Sequence, residues 1–291
     1  MKNYFAISIA SLSFIASVLP IAIADELETT ATSLVTGQAN SYLSQLSQTI
    51  RETSSFEHLT SSVGTQSGEN YAELLGVYGL MKSADKFIFN QTSLSSHDGI
   101  ETANTGFGYR AFTDSQSIIG LNAFLDYEFS SAHKRVGIGA EYLTDALELR
   151  ANYYHPTTNA KSVKGIQEAA LKGHDYTLSY YNRHILPLRV NLKSTRWYDG
   201  KGFTESATTV GASYNLTPNL SLSAAREKYD GQKADTNMSL TYRMALGAPA
   251  DFETLPDDRT ERLQQALYAP VERENKIRKK SITLGVTVGS Y

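Results

Sequence analysis

The sequence predicts an all-β fold: a transmembrane antiparallel β-barrel of about 12 strands, with a short N-terminal helix and a C-terminal linker segment. Three observations predict it. The stretch Arg135 to Tyr154 alternates with a period of two. Val136, Ile138, Ala140 and Tyr142 fall on one face, with Arg135, Gly137, Gly139 and Glu141 on the other. After Leu143-Thr144-Asp145-Ala146 the pattern restarts, with Leu147, Leu149, Ala151 and Tyr153 against Glu148, Arg150, Asn152 and Tyr154. This is a long hairpin with a tight turn, apolar outside and polar inside. Second, beyond the N-terminus no run of about 18 apolar residues occurs, which excludes helical membrane spans but leaves barrel strands untouched. Third, 18 tyrosines accompany a single tryptophan, a composition that suits an interfacial aromatic girdle and also occurs in tyrosine-rich soluble β-proteins.

The bulk composition narrows the partners. With 291 residues and a formal charge of -3, the chain gives no reason to expect nucleic acid. Cysteine is absent, which removes disulfides and thiolate metal sites, and no cofactor is expected. At the N-terminus, Lys2, the apolar run Phe5 to Ile23 and the small-x-small exit Ala22-Ile23-Ala24 make a secretory signal peptide, cleaved after Ala24.

Four segments make up the chain in order: a signal peptide over 1–24, a periplasmic N-terminal segment over 25–53, the barrel over 54–246, and a post-barrel linker over 247–291. Within the second, Ala31, Leu34, Val35, Ala39, Tyr42, Leu43, Leu46 and Ile50 recur at three- and four-residue intervals and predict the short helix, a spacer or a plug at the barrel mouth. Strands are then expected at Phe56 to Thr60, a weak one, and at Tyr71 to Met81, Lys86 to Leu94, Thr102 to Phe112 and Ile118 to Phe129. The hairpin over 135–154 comes next, followed by a polar loop, Thr157 to Gly173. Further strands run over His174 to Ile185, from Leu188 to near Trp197, and over Thr208 to Leu216, Leu220 to Tyr229 and Asn237 to Met244. The loop Asp199 to Ser206 interrupts them.

Counting Phe56 to Thr60 gives an even number of strands. It also puts the longer loops 157–173, 199–206 and 230–235 outside and the turns at Thr144-Asp145 and Thr217 to Asn219 inside. The competing source of a closing strand is Ser281 to Tyr291, where Ile282, Leu284, Val286 and Val288 alternate, although Tyr291 is out of phase. Glu253 to Lys280 is too charged to span lipid.

These residues resemble a known family. Gly108-Tyr109-Arg110-Ala111-Phe112, Gly120-Leu121-Asn122-Ala123-Phe124-Leu125-Asp126 to Phe129, and Arg135 to Tyr142 resemble the β-domain of intimins and invasins, the inverse autotransporters. Val210-Gly211-Ala212-Ser213-Tyr214 with Thr217-Pro218 look like its later strands, and Ala39 to Gln45 is similar to the short helix before that barrel. Tyr268 to Ile277 resembles the family's Tyr-x-x-Val-x-Arg-Asn-Asn-x-Ile segment after the last strand, with Glu274 in place of the first Asn. The resemblance covers about Thr30 to Leu284.

It implies a twelve-stranded barrel in the outer membrane of a Gram-negative bacterium, with outer-membrane lipid, the barrel-assembly machinery and periplasmic chaperones as partners. It further implies a translocator that exports or displays a polypeptide at the cell surface. The family's C-terminal passenger is not in this chain, which leaves a separately encoded passenger or a truncated family member. The linker is long enough to thread the lumen, since Lys276 to Tyr291 would span about 50 Å if extended. Lumen-facing polar residues available to hold it are Arg110, Asp126, Glu128, Arg135, Glu141, Glu148, Arg150 and Arg243. The plainer expectation is that these pair across neighbouring strands and wet the lumen.

No catalytic constellation emerges, and the chain is not expected to be an enzyme. His58, His97, His133, His155, His174 and His184 are scattered and expected to be solvated, and Glu141 and Glu148 mirror one another about a turn with no pocket in view. No serine sits in a nucleophile motif. Arg278-Lys279-Lys280 reads as a solvated linker, and the Asn-x-Ser/Thr triplets at Asn90, Asn215, Asn219 and Asn237 read as chance. Two other readings remain: a passive porin-like or structural barrel with surface loops acting in adhesion, and a soluble ligand-carrying barrel, disfavoured by the Gly, Ser, Thr and Asn on the polar face.

Overall fold

The computed structural model describes residues 56–66, 69–181, 188–216, 220–245 and 259–282. The signal peptide, its cleavage point and the helix expected between Ala31 and Ile50 lie outside the described residues. By contact, Glu57–Ala245 and Pro249–Tyr291 form one compact unit; Met1–Phe56 with Leu246–Ala248 form another, of which only Phe56 is described.

The strands are β1 (Phe56–Gln66), β2 (Glu69–Lys82), β3 (Lys86–His97), β4 (Ile100–Asp114), β5 (Ser117–Glu128), β6 (Lys134–Thr144) and β7 (Leu147–Pro156). After them come β8 (Lys161–Val163), β9 (Ile166–Ala170), β10 (Lys172–Tyr181), β11 (Leu188–Tyr198), β12 (Thr204–Asn215), β13 (Leu220–Tyr229) and β14 (Asp235–Ala245). A helix, α1 (Arg259–Tyr268), and a short strand, β15 (Lys279–Ile282), complete the described chain. Twelve of the strands close into a barrel in the order β1-β14-β13-β12-β11-β10-β7-β6-β5-β4-β3-β2, and β15, β9 and β8 form a separate three-stranded sheet.

Alternation makes these strands, and its sense is inverted relative to a soluble protein. Along β5, Ile119, Leu121 and Leu125 are exposed while Gly120, Asn122, Phe124 and Asp126 are buried. On β7, exposed Leu147, Leu149 and Tyr153 alternate with buried Glu148, Arg150, Asn152 and Tyr154. Exposure of 64% at Leu121, 59% at Ile138 and 65% at Met238 defines an apolar outer belt, while Arg110 and Arg135 inside are 0% exposed. Such a pattern costs free energy in water and is stable only with hydrocarbon outside. No helix among the described residues is long and apolar enough to cross a membrane.

Closure falls to the weakest of the expected strands. The element at Phe56 extends to Gln66 and pairs with β14, Thr60 opposite Ala245 and Gly64 opposite Thr241, so no barrel edge is left for lipid to face. Ser281 and Ile282 pair instead with β9, so Ser281 to Tyr291 does not begin as a barrel strand. Three other expectations need correction. The loop over 157–173 contains the β8–β9 hairpin, turned by Lys164 and Gly165 at φ of 48° and 83°. Thr204 to Ser206 belong to β12, so that loop ends at Phe203. The third correction is α1, which the charge of Glu253 to Lys280 concealed.

The connections Ser83–Asp85, Ser115–Gln116 and Asp145–Ala146 lie at one end of the barrel, called the turn end, and the two-residue Asp98–Gly99 turn lies at the opposite end. The longer ones over 129–133, 157–171, 199–203 and 230–234 lie at the other, the loop end. Inside, a few inward glycines make room for rings. A Cβ on Gly173 would collide with the Trp197 ring, which stacks on Tyr154 with ring centroids 5.3 Å apart. Gly173→Ala is therefore expected to lower barrel stability by about 1–3 kcal/mol, read as an earlier loss of the compact species when unheated samples are warmed before electrophoresis.

Candidate functional site

The lumen is occupied. The next described element after β14 is α1, whose Leu263, Ala266 and Leu267 recur at helical spacing and seat on a patch of inner wall. That patch contains Leu75, Val77, Phe87, Phe89, Ile118, Phe124 and Leu143, with Val271 joining from beyond the helix. Phe87 stacks on Phe89 at 5.0 Å and meets Tyr268 edge-on at 4.9 Å. Burying Leu263 and Leu267 completely stabilises the plug by about 1.5–3 kcal/mol each.

The helix ends at Tyr268 because Pro270 cannot continue it, and its free carbonyls meet a buried cation. Arg110 Nη1 donates to the carbonyls of Ala266 and Leu267, both at 3.2 Å, and to that of Ala269. The same guanidinium forks onto Glu141, Nε to Oε2 at 2.9 Å and Nη2 to Oε1 at 3.1 Å. A cation at a helix C-terminus also complements its dipole. Arg110 thus joins wall to plug.

From Ala269 to Arg278 the chain runs without regular structure toward the loop end, ten residues that reach about 33 Å if extended, comparable to a hydrocarbon core of about 30 Å. Side chains of the wall bond to its backbone. Gln91 reads both groups of Val271, accepting from N at 2.7 Å and donating to O at 3.2 Å. Asn152 donates to Glu272 O at 3.4 Å, Arg135 to Glu274 O at 2.6 Å and to Lys276 O at 3.0 Å, and Asn104 to Asn275 O at 3.2 Å. Tyr154 Oη accepts from the Glu274 N–H at 2.8 Å.

Asp126 is the electrostatic centre. It accepts from Arg273 Nη1 at 2.7 Å and Nη2 at 2.8 Å, from Arg135 Nε at 2.7 Å and from Asn104 at 2.7 Å. The Arg273 guanidinium also lies 4.4 Å from the centre of the Phe124 ring. Elsewhere in the lumen, Glu272 pairs with Arg189 at 2.6 Å and lies 3.7 Å from Arg150, which itself bonds Glu148 at 2.6 Å and Glu141 at 3.1 Å.

The eight lumen residues singled out from sequence therefore divide. Arg110, Asp126, Arg135, Glu141, Glu148 and Arg150 lie buried and pair both across the wall and, through most of them, with the plug or linker. Glu128 bonds Lys279 at 2.5 Å. Arg243 stands opposite Ser62 in the β1/β14 register. Sequence reasoning put Asn152 and Tyr154 on the inner face without a role and left out Gln91, Asn104, Glu73, Arg189 and Lys193, whose contacts to the linker exist only once the linker lies beside them.

At the loop end the linker joins a sheet. Lys279 pairs with Ala170 and Ile282 with Gln167, and the Leu171 N–H donates to Arg278 O at 2.9 Å. The basic run is not a solvated linker. Arg278 stands 3.7 Å from Glu274, Lys279 contacts Glu128 and Glu168, and Lys280 reaches Asp199 at 3.3 Å. The Lys201 N–H, seconded by that of Phe203 and by Lys280, holds the Asp199 carboxyl below the usual range.

Nor are the histidines uniformly solvated: His97 and His133 are buried. His133 lies between β5 and β6, with Nδ1 2.9 Å from Thr158 Oγ1 and Nε2 3.7 Å from Glu168. Burial lowers its pKa against the opposing pull of Glu168. A lowered value means that the unfolded chain takes up a proton the native ring refuses, so stability is full above about pH 6.5 and falls as pH drops below it. Hydrogen exchange in the 157–171 hairpin is expected to quicken over that window, and His133→Asn to remove the dependence.

Twelve strands closed without an edge, an apolar exterior and a polar lumen filled by the chain's own C-terminal segment define an outer-membrane β-barrel with an internal plug and linker. The chain belongs to the inverse autotransporter β-domain family, which matches residues 14–275. Relatives include intimin of Escherichia coli O127:H6, 26% identical over 75% of this chain and 25% of its own length. Invasin of Yersinia enterocolitica is 26% identical over 67% and 25%, and the inverse autotransporter adhesin YeeJ of Escherichia coli K12 is 27% identical over 67% and 9%. The chain thus spans well under half the length of the curated relatives it matches. A solved structure from work on the in-meso crystallization of membrane proteins shares the fold, with TM-score 0.66 at 22% identity over 77% of this chain and 100% of that one.

Proposed function

We propose that this barrel is a translocator, which holds a polypeptide segment in its lumen so that the polypeptide joined to that segment is exported or displayed at the cell surface. The observation that supports this reading best is the course of residues 269–282, gripped along their backbone by wall side chains and handed to the β8–β9 hairpin at the loop end. Carbonyl and amide groups are common to every sequence, so a wall that bonds them accommodates a passing chain with little regard to its side chains. In this reading the turn end faces the periplasm and the loop end the outside. Signal-peptide removal after Ala24, periplasmic chaperones and the barrel-assembly machinery precede insertion, and a surface polypeptide, in cis or separately encoded, is the cargo.

The family relationship supports the same assignment, and the relatives named intimin, invasin and adhesin make surface adhesion the activity to look for in the cargo. The reading gives the chain no catalytic step. A passive pore is less well supported, because α1 and the linker fill the path a solute would take. An epitope placed after Tyr291 tests the proposal. Antibody labelling of intact cells is expected, and labelling only after the outer membrane is permeabilised would sink it.

A further inference from the structure

The outer face of β10 to β13 carries a band of four cations and a histidine at one end only. Alternation points Lys172, His174, Arg196, Arg226 and Lys228 outward, on the same side as the exposed Leu178, Leu192, Val210 and Leu222. Register joins them: His174 stands opposite Arg196, Lys172 opposite Tyr198, and Arg226 and Lys228 face Val210 and Thr208 across one strand pair. All lie toward the loop end of their strands. At the turn end the corresponding outward positions are Tyr180, Leu188, Tyr214 and Leu220, none of them charged.

These charges differ from those of the lumen, where nearly every cation has a carboxylate. No carboxylate falls on the outward set of β10–β13; Glu205 and Glu227 alternate to the inner side, and neither the four cations nor His174 belongs to an ion pair among the described residues. A cavity of about 270 Å³ opens at the same place, lined by His174, Arg196, Tyr198, Phe203 and Thr204 with Gly200 and Gly202. An uncompensated guanidinium bordering an apolar belt is costly unless an anion meets it there.

We infer that this band is a lipid-headgroup site, which binds the phosphate groups of an anionic membrane lipid whose chains lie along the apolar surface of β10 to β13. Arg196 and His174 meet a phosphate at the cavity, Tyr198 supplies an interfacial ring, and Arg226 and Lys228, about two strand spacings or 10 Å away, reach a second phosphate or a neighbouring headgroup. The inference concerns the barrel's exterior and does not depend on the transport role proposed above. Its partner is a lipid because the adjoining surface is apolar and continuous with the belt, where free phosphate would gain nothing.

The test uses the full-length protein reconstituted in nanodiscs of phosphatidylcholine alone or with phosphatidylglycerol, followed by thermal unfolding and by lipid retention in native mass spectrometry. The wild type is expected to retain phosphatidylglycerol selectively and to unfold at higher temperature in its presence. Neutralising Lys172, Arg196, Arg226 and Lys228 to Gln is expected to weaken that retention about fivefold per charge removed, while Lys86→Gln at the turn end changes nothing. Should the quadruple variant fail to fold, Arg196→Gln alone carries the same comparison. Equal behaviour in both lipids, an equal loss with Lys86→Gln, or full reproduction of the effect by inorganic phosphate would each overturn the inference.

Discussion

Asp126→Ala is expected to free the linker from the lumen and to turn a closed barrel into a conducting one. Its two oxygens receive Arg273, Arg135 and Asn104, and both guanidinium groups are buried. Removing one partner of a buried charge pair costs about 3–5 kcal/mol, because the remaining charge keeps its desolvation penalty without compensation. Here one deletion strands two cations. Arg135 keeps its bonds to the carbonyls of Glu274 and Lys276, whereas Arg273 has the Phe124 ring but loses its anion and is drawn toward water with the linker that carries it. Conductance across a planar bilayer should rise well above that of the wild type while the barrel still migrates as a compact species before heating. A variant that conducts no better than wild type would show that Arg273 is held by packing alone. Asp126→Glu is expected to restore part of the closure, since it returns the charge at a displaced position.

The double substitution Leu263→Asp with Leu267→Asp should unseat α1. Each leucine is almost wholly buried against Phe87, Phe89 and their neighbours, so the loss begins at about 1.5–3 kcal/mol apiece, before the cost of placing a carboxylate among rings. Taken together this shifts the seated-to-released equilibrium by roughly a hundredfold or more. The helix should become accessible to added protease at the turn end, and conductance should again increase. Strand pairing does not involve these residues, and resistance of the barrel strands to proteolysis should persist. Protection of α1 at wild-type level would show that Arg110, through its bonds to three carbonyls, suffices to hold the helix.

These two expectations separate the ways the interior is held. At the turn end the contact is apolar and depends on shape; through the middle it is a polar cradle that holds the backbone and also pairs with the side chains of Glu272 and Arg273. The difference reflects the task of each part in the proposed role. A helix that stays can be fitted side chain by side chain. A segment that passes, or that differs between relatives, is better held by groups that recognise amides.

The strands were legible because lipid outside and water inside impose a period of two on every one of them. Arg135 to Tyr154 shows this without ambiguity: each inward and outward assignment from sequence matches burial along β6 and β7, apart from Leu143 beside the turn, which the alternation did not assign and which packs under α1. Phe56 to Thr60 was a faint strand because its alternation is poor; an even count favoured it over Ser281 to Tyr291, and its pairing with β14 is what closes the barrel. Periodicity is local, so the sequence displays it. Parity is a global consequence of closure, and which segment supplies the last strand was decided only by pairing.

The interior was legible only as an inventory. That Arg110, Asp126 and Arg135 face inward follows from alternation; that they hold Ala266 to Lys276 follows from heights in the barrel, which strand tilt and register set. Helix α1 shows Leu263, Ala266 and Leu267 at the right spacing, but its charged surroundings hid it. The β8–β9 hairpin and its pairing with β15 depend on two segments more than 100 residues apart meeting at one mouth. The sequence by itself thus determined the barrel and the alternation that turns one set of side chains inward, since both are a repeating response to the solvent on either side of the wall. Only the tertiary structure decided which charges meet and what they grip, because closure of the barrel is what brings distant residues to the same depth in a low-dielectric lumen.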